Sequence, residues 1–138
     1  MSHNKLICII DDDFAHRKLL EFNLTTQNYK VFSFSTCAEF INEPFTNPPF
    51  AIVLDHYLKD EKTGLEYLPD IKKKLPKVPV IIMTNETDSK LIKQIQEAKA
   101  SGYIAKDPAS FVRLRTMLDE IEGKTGGNWL KKILKKRN

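Results

Sequence analysis

What the chain lacks narrows it first. Nowhere in its 138 residues is there an unbroken run of about 18 apolar residues, so no membrane-spanning helix is expected. Cysteine is scarce: Cys8 and Cys37 form neither a metal-ligand spacing nor a disulfide framework. Both are expected as reduced thiols, Cys8 as a small hydrophobe inside an apolar run and Cys37 with no special role. Of the five glycines, three fall at positions 123, 126 and 127. Acid is absent after Glu122, where Lys124, Lys131, Lys132, Lys135, Lys136 and Arg137 stand together. The 22 basic residues thus divide into 6 in this tail and 16 before it, against 18 acids. The overall charge of +4 therefore belongs to the tail, and residues 1–122 give no reason to expect a nucleic-acid-binding surface. The short apolar run near the start ends in acids, so it does not read as the core of a signal peptide, and a cytoplasmic setting is the expectation.

What is present alternates. Short apolar runs at residues 6–10, 50–54 and 78–83 have strand length and no polar interruption, as strands buried on both faces do. Residues 31–35 alternate like an edge strand, and residues 102–105 make a last short one. Between them lie helical periods. Residues 14–27 place Ala15, Leu19, Leu20, Phe22 and Leu24 on what reads as one broad apolar face. Residues 36–43 begin at a Thr36 cap and stop before Pro44; residues 65–74 contain Pro69, expected to kink or shorten the helix. Residues 88–100 and 109–121 complete the set. Five βα units in succession predict an α/β fold, a parallel sheet covered by helices on both faces. Beyond the glycine-containing break, Trp129, Leu130, Ile133 and Leu134 share one face of a short basic amphipathic segment, expected to dock or self-associate rather than to anchor in a membrane.

In a doubly wound sheet the chemistry gathers at the carboxyl ends of the strands. There the chain carries Asp11, Asp12 and Asp13 after the first strand, Asp55 at the end of the third, Thr84 at the end of the fourth and Lys106 after the fifth. Several carboxylates at one strand edge repel one another unless a cation joins them, and oxygen ligands of this kind suit Mg²⁺. A carboxylate is also a competent nucleophile towards phosphorus, provided that the equatorial oxygens are neutralised; a metal, a hydroxyl and an ammonium supply that. Asp13 reads as the cap of the first helix rather than as a ligand. His56, beside Asp55, reads as a loop side chain rather than as a general base.

Four stretches carry a resemblance: Ile9-Ile10-Asp11-Asp12-Asp13; Ile52-Val53-Leu54-Asp55 followed by Gly64-Leu65-Glu66; Ile81-Ile82-Met83-Thr84; and Ser101-Gly102-Tyr103-Ile104-Ala105-Lys106. In this order and spacing they resemble the receiver domain of two-component response regulators, of the stand-alone type, over residues 4–121, with residues 122–138 as linker and basic tail. The resemblance implies a flavodoxin-like sheet of five parallel strands, in the order 2-1-3-4-5, with five helices. It implies Mg²⁺, or Mn²⁺ in its place, held by Asp11, Asp12, Asp55 and the backbone carbonyl of Tyr57. It makes Asp55 the phosphoacceptor, Thr84 the switch hydroxyl, Lys106 the phosphate-pairing lysine and Tyr103 the aromatic that turns inward on activation. Tyr57 and Glu86 flank the path of attacking water and are expected to set the lifetime of the acyl phosphate.

A receiver of this kind assists its own phosphorylation and dephosphorylation without being an enzyme in its own right. Its partners are a sensor histidine kinase or histidine phosphotransfer protein and a downstream protein; no DNA-binding domain is expected. Three departures stand out. Lys59 replaces a usual proline four residues after the acceptor. Gly64 follows Asp55 by nine residues instead of eight, which lengthens the loop, and Asp107 replaces a usual proline after Lys106. Two other functions fit less well: a pseudo-receiver that only binds partners, against which the intact acid, Thr and Lys set argues, and an aspartyl-phosphate phosphohydrolase, which would need an acid where Tyr57 stands.

Overall fold

A computed structural model describes residues 5–59, 61–85 and 88–123. Its elements alternate along the chain: β1 (Leu6–Ile10), α1 (Phe14–Thr26), β2 (Lys30–Phe34), α2 (Cys37–Ile41), β3 (Ala51–Asp55), α3 (Gly64–Lys74), β4 (Val80–Thr84), α4 (Ser89–Glu97), β5 (Gly102–Ala105) and α5 (Ser110–Ile121). The five strands form one sheet in the order β2-β1-β3-β4-β5, and every neighbouring pair is parallel. The fold is the flavodoxin-like α/β arrangement.

The chain separates into two compact units, Met1–Ala105 with the sheet and α1 to α4, and Lys106–Asn138 with α5. In the first unit, side chains alternate across the pleat. Cys8, Ile10, Ile52, Leu54, Val80 and Ile82 join Phe40, Leu68, Ile71, Leu91 and Ile95 in one core cluster. The intervening Ile7, Ile9, Val53, Ile81 and Met83 are equally buried on the other face, together with Leu20 and Leu24 of α1. At roughly 25 cal/mol per Å² of apolar surface, each such aliphatic side chain contributes about 2 kcal/mol. Cys37, expected to have no special role, is fully buried inside the first cluster and serves as core.

Several local expectations change. Ala15, Leu19 and Phe22 do not share the buried face of α1: Leu19 is 55% and Phe22 70% exposed, while Leu20 and Leu24 are closed off. At about 100° per residue the two groups lie on nearly opposite sides of the helix, and the sheet can cover only one of them. Pro69 does not shorten α3, which runs through it to Lys74. A complete capping box between Thr63 and Glu66 starts that helix, and burial of Leu68 and Ile71 holds it past the missing N–H. β4 begins at Val80, two residues later than the apolar run, and α2 stops at Ile41.

The second unit is described by its own contacts. Asp107 precedes α5, which begins at Ser110: its carboxylate accepts from the Ala109 N–H at 2.9 Å and from Arg113 at 2.8 Å. Those bonds, the Arg113 contact first, hold the Asp107 carboxyl below its ordinary range. Among the described residues no peptide bond is cis, including the one after Lys106. Leu114 and Leu118 are buried along α5. The basic amphipathic segment expected around Trp129 and the glycines at 126 and 127 lie outside the described residues.

Candidate functional site at the carboxyl edge of the sheet

β1 and β3 are neighbours, paired from Ile7 with Ala51 through Ile10 with Leu54. The next residue of each strand is therefore delivered to the same edge: Asp11 beside Asp55. Both are buried, at 1% and 4% exposure. Asp12 joins them half-buried, and one carboxylate oxygen from each of Asp11, Asp12 and Asp55 lies within 4.8 Å of the others. At an effective dielectric of about 20, unit charges at such spacing repel by on the order of 3 kcal/mol per pair. Three hard oxygen donors with excess negative charge are the donor set that Mg²⁺ takes. The residues present fit that cation.

Thr84 ends β4 at the same edge. Asp55 pairs with Met83, so Thr84 lies one residue further along, and its side chain is fully buried. Thr84 in turn pairs with Ala105, the last residue of β5. Lys106 follows directly in the chain and opens the second unit, half-buried. Tyr103, in β5, is partly buried and packs against the core cluster. Tyr57 is 49% exposed, and its backbone N–H approaches Asp55 Oδ1 at 3.4 Å. Glu86 lies outside the described residues. Asp13 caps α1, its Oδ1 accepting from the His16 N–H at 3.2 Å. His56 is buried, with Nδ1 3.4 Å from the Leu65 N–H, a loop-fixing place.

Two features escape a sequence reading. Asp11 is held by α1: His16 Nδ1 lies 2.5 Å from Asp11 Oδ2, and Arg17 Nη1 donates to the Asp11 carbonyl at 2.7 Å. A polar residue in the first turn of the helix that follows the acids is the only signal that would have suggested His16. Asp12 is held by the loop after β3, through the Lys59 N–H at 2.6 Å. A backbone donor has no signature in the sequence.

Gly64 is needed at this edge. A Cβ there would fall 2.3 Å from the Asp55 carbonyl oxygen, and the Gly64 N–H already donates to His56 at 2.7 Å. The loop with its additional residue thus returns to a tight contact at the end of β3.

Residues 7–119 match the family model described as the response regulator receiver domain. The chain belongs to that family. Relatives of this receiver domain include the transcriptional regulatory protein KdpE of Mycobacterium tuberculosis, 33% identical over 101 residues, which are 73% of this chain and 44% of that protein. The transcriptional regulatory protein ZraR of Klebsiella oxytoca is 29% identical over 114 residues, 83% of this chain and 25% of that protein. The chain thus spans less than half the length of these curated relatives. Among solved structures, the BeF3-activated receiver domain of DrrB is similar with a TM-score of 0.75 and 27% identity, covering 88% of this chain and 97% of that one. The DrrB response regulator of Thermotoga maritima matches equally well, with a TM-score of 0.75 and 27% identity, over 90% of this chain and 54% of that one. No described helix of the receiver is long and apolar enough to cross a membrane.

Proposed function

We propose that this receiver is a phosphoacceptor of two-component or phosphorelay signalling, in which Asp55 takes a phosphoryl group from a phosphohistidine. The donor is a sensor histidine kinase or a histidine phosphotransfer protein in the cytoplasm. A carboxylate oxygen of Asp55 forms the new O–P bond as the P–N bond breaks. The bonding pair stays on the imidazole nitrogen, which takes a proton from water. The product is an acyl phosphate. The reading is carried by one observation, the convergence of Asp11, Asp12 and Asp55 within 4.8 Å at the ends of β1 and β3.

Asp11, Asp12, Asp55 and the Tyr57 carbonyl would hold Mg²⁺, or Mn²⁺. When bound, the cation neutralises charge on the carboxylates and on the phosphoryl oxygens. Thr84 would offer its hydroxyl and Lys106 its ammonium to the other equatorial oxygens. A shift of β4 and the segment after it, made as the Thr84 hydroxyl is recruited, would give the domain two states and a partner surface that differs between them. Tyr103 would follow that rearrangement. Tyr57 and Glu86 would tune the decay of the acyl phosphate by screening water. The receiver assists its own reactions but turns over no external substrate. Its output passes to a downstream protein, and the basic tail is a docking or self-association element.

The donor protein has to cover this edge of the sheet. α1, which starts directly after the acids, presents Leu19 and Phe22 to solvent. These side chains suit a protein partner.

Incubation with a small phosphodonor and Mg²⁺ tests the reading. Mass spectrometry is expected to find one added phosphoryl group on the wild type and none on Asp55→Asn. Equal labelling of both, or of neither, overturns it.

A further inference from the structure

We propose that His16 is a positioning residue of the acid cluster, holding the Asp11 carboxylate in the orientation that a divalent cation requires. The proposal rests on the cluster being the cation site.

Asp11 is 1% exposed, and protein donors hold its carboxylate. The Asp13 N–H donates to Oδ1 at 2.9 Å, and His16 Nδ1 meets Oδ2 at 2.5 Å. With Asp11 in the ionised form that a cation takes as ligand, Nδ1 supplies the hydrogen of that bond. Each carboxylate oxygen has two lone pairs. One on each oxygen is engaged by one of these two donors, which fixes the plane of the carboxylate.

His16 is itself fixed. It is the third residue of α1, and its backbone N–H donates to the Asp13 side chain that caps the helix. Arg17, next in sequence, donates to the Asp11 carbonyl. The first turn of α1 therefore grips Asp11 at both main chain and side chain. The group of carboxylates within ligand distance of one another comprises Asp11, Asp12 and Asp55, and His16 is not a member. The imidazole accordingly orients a ligand instead of being one. Donors of this kind behind a ligating carboxylate commonly govern metal affinity, because they remove the freedom that binding would otherwise have to freeze.

Titration of the whole protein with Mg²⁺ alone, followed by isothermal calorimetry, tests this without any phosphoryl transfer. His16→Leu keeps the bulk and removes the donor; it is expected to weaken Mg²⁺ binding roughly 10- to 100-fold. His16→Asn places an N–H donor close to where Nδ1 stood and is expected to bind within about threefold of wild type, since the same Oδ2 bond can form. Circular dichroism establishes that each variant is folded. A folded His16→Leu with wild-type affinity overturns the proposal, and so does a folded His16→Asn as weak as His16→Leu. If His16→Leu fails to fold, His16→Asn decides alone: near-wild-type affinity upholds the proposal and a tenfold loss overturns it. A wild type that takes up no Mg²⁺ overturns the cation-site reading and this proposal with it, whereas unchanged affinity in a folded His16→Leu overturns only this one.

Discussion

The backbone N–H of Lys59 donates to Asp12 Oδ2 at 2.6 Å, tying the loop after β3 to an acid 47 residues earlier in the chain. Receiver domains usually carry proline at this position, and proline has no N–H to give. The departure at Lys59 therefore adds a bond instead of leaving a gap. Lys59→Pro should destabilise the domain by about 1.5–3 kcal/mol, the worth of a hydrogen bond to a charged acceptor, whereas Lys59→Ala keeps the N–H and should stay within about 0.5 kcal/mol of wild type. Urea denaturation compares the two; equal midpoints would show that the bond contributes nothing.

Gly64 permits the close return of that loop. A methyl group there would meet the Asp55 carbonyl oxygen at 2.3 Å, and both partners are backbone, so neither can step aside cheaply. Gly64→Ala is expected to cost about 2–3 kcal/mol, the upper range for overpacking. Chemical denaturation measures it, and an unaltered midpoint would mean that the loop shifts freely.

Cys8 makes the domain sensitive to alkali. Burial, aided by the nearby Glu43 charge, pushes its thiol from 9.0 up to about 12. The unfolded chain releases this proton first, so above pH 9 it binds fewer protons than the folded one. Stability contributed by the neutral thiol is complete below pH 9 and falls as pH rises towards 12, by up to about 1.4 kcal/mol per pH unit. Cys8→Ala should flatten that fall in thermal melts taken between pH 8 and 11. In the native protein at pH 8 neither Cys8 nor Cys37 should react with a thiol reagent, because both are buried; unfolding should release both.

Lys99, just past the end of α4, has a φ of 65°, a left-handed conformation that strains an L-residue with a Cβ. Its N–H still bonds the Gln96 carbonyl at 3.1 Å, closing the helix end. Lys99→Gly removes about 1–2 kcal/mol of strain and adds somewhat less chain entropy in the unfolded state, so a net gain of about 0.5 kcal/mol is expected. Asn28, at φ 70° after α1, gains less from the same change because asparagine tolerates this region. A calorimetric melting temperature lowered in Lys99→Gly would contradict this.

Much of the candidate site was legible because it depends on local pattern. Unbroken apolar runs must be strands buried on both faces, and the polar residue at the end of each must emerge at one edge. Asp11, Asp55 and Thr84 follow from that rule, and Asp13 follows from cap chemistry. The apolar residues of α1 were less legible. Ala15, Leu19 and Phe22 are as apolar as Leu20 and Leu24, and composition does not say which side meets the sheet.

By itself the sequence determined the alternation of elements, the depth of the strands and the acids at their ends, since these arise from side-chain chemistry within a few residues. Only the tertiary structure decided which donors hold those acids. His16 reaches Asp11 because α1 turns back beside the strand it follows, and Lys59 reaches Asp12 because β1 and β3 lie side by side. One of those donors is a backbone N–H, which every residue but proline carries. Its partner is chosen by where the chain passes, and not by what the residue is.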